Sequence, residues 1–421
     1  LFADNMLIAN CIYHRNELSS PDNISENTYR TVIGQTHESI LAEYEEMNTG
    51  NAYTDNVLYG MRKINGVNYQ LTGGFCGELS SVKQENAYSA HSYSFYTVPR
   101  IEWERNDFLF TAATTVRWSH LPKQSYSRFC VSPFFCFRYK FTPRWKMSLL
   151  GSLDESEGGL KDIYPFRYRE DYRTVVKHTG KVPVTVRQLY TCYLEYKNTI
   201  KEFFWTLSAS YSHNRYNLIT ERNYKDGNFY LSSVERNHSS HSYTLNTIGS
   251  KGIYDWNLKT SLELTLARNE GKQLNEGIVQ DYRYDYLCVE PKIVWAPSVF
   301  FEAEYKATVS CVGGGIGEDT SLDPLWEVAQ RLTLSLEFHD TEFRLSGEHF
   351  YNDLSKNQHL NIWLADVSLI HKVGKWRFAA SAINLFNKEQ YRYTLYSAVQ
   401  SYTSWIKLRP REFMVSVQYQ W

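Results

Sequence analysis

From Pro99 onward, apolar and polar residues change places at every second position. Pro99, Ile101 and Trp103 stand against Arg100, Glu102 and Glu104. After Arg105, Asn106 and Asp107, the residues Phe108, Phe110, Ala112, Val116 and Trp118 stand against Leu109, Thr111, Ala113, Thr115 and Arg117. Past a polar gap, Phe129, Val131, Phe135, Phe137, Tyr139 and Phe141 oppose Arg128, Cys130, Ser132, Cys136, Arg138 and Lys140. A period of two belongs to strands with two unlike faces. The device returns at 145–153, 203–212, 256–266, 301–310 and 326–338, and the chain ends on it. Phe413, Val415, Val417, Tyr419 and Trp421 alternate with Glu412, Ser416, Gln418 and Gln420, with Met414 the exception.

The connections between these strands read as two kinds. Short ones fall near Asn106, Pro143, Asn198, Tyr254, Pro297, Asp340, Gly374 and Pro410, and longer polar ones at 155–171, 221–239, 270–280 and 313–323. Short turns at one end and long loops at the other predict a transmembrane barrel. The fold expected is all-β: an antiparallel up-and-down β-barrel of outer-membrane type, roughly 18–22 strands, forming one domain over 1–421. Residues 1–52 are the least legible part and can supply early strands. There 6–16 suits a strand and 19–27 a polar connection. Ile40, Leu41, Tyr44 and Met47 fit a short helix as well as a strand. From 57 to 76 the pattern is a pair of strands around a turn at Lys63, Ile64, Asn65 and Gly66.

A β-sandwich or propeller also alternates, so the pattern alone leaves it open. Composition decides against it. With 33 Tyr, 22 Phe and 11 Trp, aromatics make up 16% of the chain. A packed core favours Val, Ile and Leu, whereas Trp103, Trp118, Trp145, Trp205, Trp256, Trp295, Trp326 and Trp376 each lie within a few residues of a connection. Aromatic girdles at a lipid–water boundary account for that placement. No apolar run is long enough for a transmembrane helix.

Charge narrows the partners. The net charge of −1 gives no basic field for nucleic acid. Arg100, Glu102, Glu104, Arg117, Arg138, Lys140, Lys259, Glu263, Glu302, Glu304, Lys306, Glu327, Arg331 and Glu337 all fall on polar faces. In lipid each would cost a few kcal/mol, so they are expected to line the lumen, contacting water or a plug. Their mixed signs do not suit a pore selective for one ion charge. The seven cysteines form no metal or redox spacing. Cys130 and Cys136 stand about 20 Å apart along one strand, too far to bridge. No catalytic constellation emerges: Gly313–315 and Gly317 read as a flexible loop, His238 and His241 as loop histidines, and Asp154, Glu155 and Glu157 as a loop mouth. No enzyme activity and no cofactor are expected.

Ala382 to Tyr391 reads Ala-Ile-Asn-Leu-Phe-Asn-Lys-Glu-Gln-Tyr. Asn384, Leu385, Phe386, Asn387 and Tyr391 resemble the segment that precedes the last strands of TonB-dependent outer-membrane receptors, a family that typically ends on an aromatic, as Trp421 does here. The resemblance implies a bacterial outer-membrane location and TonB-dependent uptake of a bulky nutrient such as an iron chelate, vitamin, glycan or peptide. Long extracellular loops and the lumen would bind that ligand. It also implies that Phe413, Val415, Val417, Tyr419 and Trp421 form the terminal strand read by the barrel-assembly machinery. The expected partners are outer-membrane lipid, that machinery, a surface lipoprotein, and TonB acting through a plug. No plug-like block or TonB-contacting box is legible, and from Leu1 the chain reads as a mature or truncated product. An energy-independent porin and a non-transporting structural or assembly barrel are the alternatives.

Overall fold

The computed structural model describes the backbone of residues 2–3, 6–17, 23–33, 37–60, 67–83, 87–163, 167–169, 174–317, 320–355, 358–396 and 401–420. Side chains are described from residue 67 onward, apart from 79–88, 160–161, 164–166, 168–173, 318–323, 354–358, 391–405 and 421.

Among the described residues the chain is nearly all antiparallel strand, an up-and-down sheet with almost no helix. His37–Gly60 pairs with Val67–Lys83, and the meander continues strand by strand through Ala87–Arg105, Phe108–Leu121, Tyr126–Lys140 and Trp145–Glu157. After a long connection it resumes at Val184–Asn198 and runs to Trp376–Ile383 and Glu412–Tyr419. The stretch left open between helix and strand is strand, and residues 23–27, read as connection, begin the strand Asn23–Ile33. The turn expected at 63–66 lies outside the described residues. Met6–Glu17 and Asn23–Ile33 share one edge of His37–Gly60. Among the described residues, Glu412–Tyr419 pairs with Trp376–Ile383 alone.

Register shows how the two faces carry across the sheet. Successive partners from Trp103 are Phe110, Phe137, Leu149, Cys192, Ala209, Leu245, Leu266, Leu287, Cys311 and Trp326. The row beside it, on the other face, runs Glu104, Leu109, Arg138, Ser148, Tyr193, Ser208, Asn246, Thr265, Cys288, Ser310 and Glu327. One face is apolar and its neighbour is mostly polar.

The same rows give the strand tilt. Trp103 stands three residues from the turn at Asn106, and Trp326 thirteen from the turn at His339. The row therefore climbs ten residues in ten inter-strand steps. At about 3.3 Å per residue and 4.8 Å per step, that is a tilt of roughly 35°. Outer-membrane barrels tilt by that amount.

No second layer covers the apolar face among the described residues. Phe129 is 63% exposed, Leu262 51% and Val415 80%. A sandwich would bury these side chains. Among the described residues a small grouped core forms from Ala90, Leu121, Ile163 and Val182, with Tyr126 against it, where the connection after Glu157 folds onto the strand ends. Among the described residues no helix is long and apolar enough to cross a membrane. Along Phe108–Leu121, Phe108 and Trp118 bracket the outward face ten residues apart, about 27 Å of height at that tilt.

The expected contrast in loop length holds only in part. Among the described residues, seven tight connections share one end of the sheet, at 106–107, 141–144, 199–202, 254–257, 299–300, 339–340 and 374–375. Pro410 does not join them: it lies at the opposite end, in the return from Ser401–Lys407 to Glu412–Tyr419. The stretches 221–239 and 270–280 are not loops. Phe203–Lys225 and Asn228–Ile253 meet at Asp226 and Gly227, and Leu258–Asn275 and Ile278–Ser298 at Glu276 and Gly277. All four turn residues have positive φ, as hairpin turns of two residues require. The polar stretches are wet strand, standing beyond the apolar band.

Candidate functional site

The charged residues predicted for the lumen share the polar face, and cross-strand register brings several together. Lys292 meets Glu304 at 2.9 Å, and Arg331 pairs with Glu348. Arg100 and Glu102, two apart on one strand, lie 3.1 Å apart. Arg117 donates to the Glu155 carbonyl at 2.8 Å, and Glu263 accepts from Asn246 at 2.8 Å. Lys146–Glu195 and Arg128–Glu155 extend the same pattern. Arg138, Lys140, Lys259, Glu302, Lys306 and Glu337 are exposed. Glu327 stands opposite Asn352, and Glu104 opposite Leu109. Exposed pairs of this kind contribute about 0–1 kcal/mol each. The face is a wettable wall of both signs. Sequence reasoning missed Glu348, Lys292 and Glu195, which only register could place beside their partners.

The receptor-like motif has a clear structural task. Asn384 is buried at the end of Trp376–Ile383 with φ of 54°, in the left-handed region that Asn tolerates. Its backbone N–H donates to Asp366 Oδ1, and its side-chain amide donates to the Lys388 and Arg409 carbonyls, each at 2.8 Å. Its Oδ1 accepts from the Lys388 N–H at 2.9 Å. Asn387, also at positive φ, accepts from the Arg411 N–H at 2.9 Å. Two asparagines thus tie the start of the excursion to its return, immediately before the final strand. Phe386 is exposed, and the Tyr391 side chain and Trp421 lie outside the described residues. On the final strand Phe413, Val415, Val417 and Tyr419 are all exposed.

At the end opposite the tight turns, one hairpin is turned over. Register between Phe203–Lys225 and Asn228–Ile253 jumps from Tyr216 opposite His238 to Leu218 opposite Glu235, so Asn217 faces both Arg236 and Asn237. Such a bulge sharpens local twist. Beyond it, residues 229–232 pair in parallel with Thr174–Lys177, and Glu221 and Arg222 with Leu274 and Asn275. The strand order at the tip is therefore the reverse of the order below. Asn217 fixes the crossing: its Oδ1 accepts from Val184 N–H at 2.7 Å, and its amide donates to Val182 O at 2.9 Å. Where the hairpin leaves the sheet there is a cleft of about 840 Å³.

His238 and His241 thus belong to a strand, not to a loop. His238 stacks on Tyr216 at 4.9 Å, and burial holds its pKa below the usual histidine value. His241 lies 3.2 Å from His213, ring nitrogen to ring nitrogen, and 2.9 Å from the Tyr211 hydroxyl. Among the described residues no group of three potential ligands could hold a metal ion. Tyr126, at the cleft wall, is pushed up to about 12 by burial and by Glu157. The glycines of 313–315 are also strand, carrying a bulge between Val312 and Gly314. At Gly314 φ is +152°, and a Cβ would come within 2.1 Å of the Arg283 carbonyl oxygen. Only glycine fits there.

No protein-family model matches the chain, and no curated protein does. Among solved structures it is similar to the ferric yersiniabactin uptake receptor FyuA from Yersinia pestis, at 10% identity and a TM-score of 0.34, over 98% of this chain and 75% of that one. It is similar to a variant of the ferric enterobactin receptor PfeA from Pseudomonas aeruginosa, at 8% identity and a TM-score of 0.34, over 88% of this chain and 77% of that one. A bacterial polysaccharide outer membrane secretin matches at 7% identity and a TM-score of 0.29, over 77% of this chain and 91% of that one. At these TM-scores the likenesses carry no argument about what this chain does.

Proposed function

We infer that this chain is the barrel wall of a bacterial outer-membrane receptor that takes up a bulky nutrient in a TonB-dependent manner. The observation that carries the membrane assignment is the uncovered apolar face, about 27 Å tall between aromatic residues on strands tilted by roughly 35°. The polar face then lines the lumen, and its mixed ion pairs suit a wet or plug-packed passage more than a charge-selective pore. The clamp made by Asn384 and Asn387 supports the receptor over other barrels, because the motif's residues perform a definite task at the place the resemblance assigns them. In this reading TonB acts through a plug outside this chain, the assembly machinery reads the terminal strand, and a surface lipoprotein is a further partner.

The test is transport by the native gene product in its own outer membrane. Uptake that stops when the proton gradient or TonB is removed is the expected result. Large, constant single-channel currents from the purified product would instead establish the porin. Insertion with neither uptake nor current would favour a structural barrel.

A further inference from the structure

We propose that the cleft beside the turned-over hairpin binds an anion bearing several phosphate or carboxylate groups. This deepens the receptor reading and rests on it, since it names the ligand chemistry met at the end opposite the tight turns. The cleft's volume, about 840 Å³, lies within the range of small-molecule sites. Its walls carry four cations, Arg128, Arg215, Arg236 and Lys272, and no carboxylate among the described lining residues. Outside the walls, Glu155 engages Arg128 at 3.0 Å and Asp281 stands 3.4 Å from Lys272. Arg215 donates to His213 at 3.1 Å. Neither Arg215 nor Arg236 forms an ion pair with a carboxylate among the described residues.

Elsewhere on the sheet several cations meet a carboxylate across strands, as Lys146 does Glu195, Lys292 does Glu304 and Arg331 does Glu348. Here Arg215 and Arg236 line one cleft with no carboxylate partner among the described residues, and they supply its net positive charge, since Glu155 and Asp281 offset Arg128 and Lys272. A concave site of one sign concentrates counter-ions, and guanidinium forks match carboxylate and phosphate oxygens two at a time. Asn237 and Ser239 add neutral donors. The site exists because the bulge at Asn217 rotates the hairpin tip. A regular ladder would leave these side chains spread along a flat sheet.

The chemistry fits two sources: a soluble polyanion, as cargo, or the phosphorylated headgroup of a glycolipid in the outer leaflet. Titration of the purified full chain in detergent with citrate, pyrophosphate, a disaccharide bisphosphate and neutral maltotriose separates them. Saturable binding of any of the three anions, weakened by salt, is expected. Preference for the disaccharide bisphosphate assigns a lipid headgroup, and preference for citrate or pyrophosphate a soluble ligand. The pair Arg215→Gln and Arg236→Gln should weaken that binding about tenfold or more, while Lys201→Gln, in a tight connection at the other end, leaves it unchanged. Arg236 is exposed, so Arg236→Gln alone serves if the double variant does not fold. The proposal is overturned if no anion binds saturably, if the variants bind as tightly as the parent chain, or if maltotriose binds as well as the anions. Binding is read at equilibrium on the isolated chain, so its failure leaves the uptake reading standing, and failed uptake leaves the binding result intact.

Discussion

Asn384 joins three backbone groups through one side chain. Its side chain makes three hydrogen bonds, at 2.8, 2.8 and 2.9 Å, and it is buried. Alanine there removes two donors and an acceptor, and strands the Lys388 and Arg409 carbonyls away from their partner. Leaving a buried polar group unpaired costs about 1–3 kcal/mol, so Asn384→Ala should destabilise this end of the sheet by about 2–4 kcal/mol. Asn384→Asp restores the acceptor but neither donation, and should recover little. The check is the temperature at which the folded barrel's fast electrophoretic migration is lost. An unshifted transition in Asn384→Ala would remove the clamp from the account.

Among elements, the strands were legible and their ends were not. Period-two alternation depends on each residue's own polarity, so the faces of Phe108–Leu121 and Tyr126–Lys140 could be read directly. A wet strand extension carries the same polar residues as a loop, which is why 221–239 resembled one. The discriminating signal was present in Asp226-Gly227, a two-residue turn sequence that long polar flanks obscured. The reversal of the hairpin tip had no comparable signal. It arises from a two-against-one register at Asn217, a property of two strands together. Asn217→Ala frees the Val184 amide from its 2.7 Å acceptor. Hydrogen exchange at Val184 should then quicken by about five- to tenfold, the equivalent of one hydrogen bond of roughly 1 kcal/mol. Exchange matching the parent chain would mean that the bulge holds without this side chain. The basic cleft was illegible for the same reason: Arg128, Arg215, Arg236 and Lys272 come from four different strands.

At the scale of the whole molecule, solvent decides which surroundings the sheet can occupy. A sheet with one apolar and one polar face needs a cover in water, and none is present over Phe129, Leu262 or Val415 among the described residues. Lipid is the cover that matches a tilted band of this height. A cation introduced at its middle should therefore be penalised on one face only. Leu262→Arg is expected to lose about 2–4 kcal/mol of stability in lipid vesicles, by analogy with other outer-membrane barrels. The neighbouring Ser261→Arg, on the opposite face, should be nearly neutral. Urea titration of both variants in vesicles measures the difference, and equal penalties would contradict the two-faced membrane assignment.

The hydrogen bonds from Asn384 to residues 388 and 409 also make the chain between them an appendage. Both ends of that excursion are fastened at its base by one side chain, so its length is uncoupled from the register of Glu412–Tyr419. Such a base is an attachment point. A foreign epitope or small binding domain spliced into the excursion would be carried outside the sheet, leaving the final strand in place.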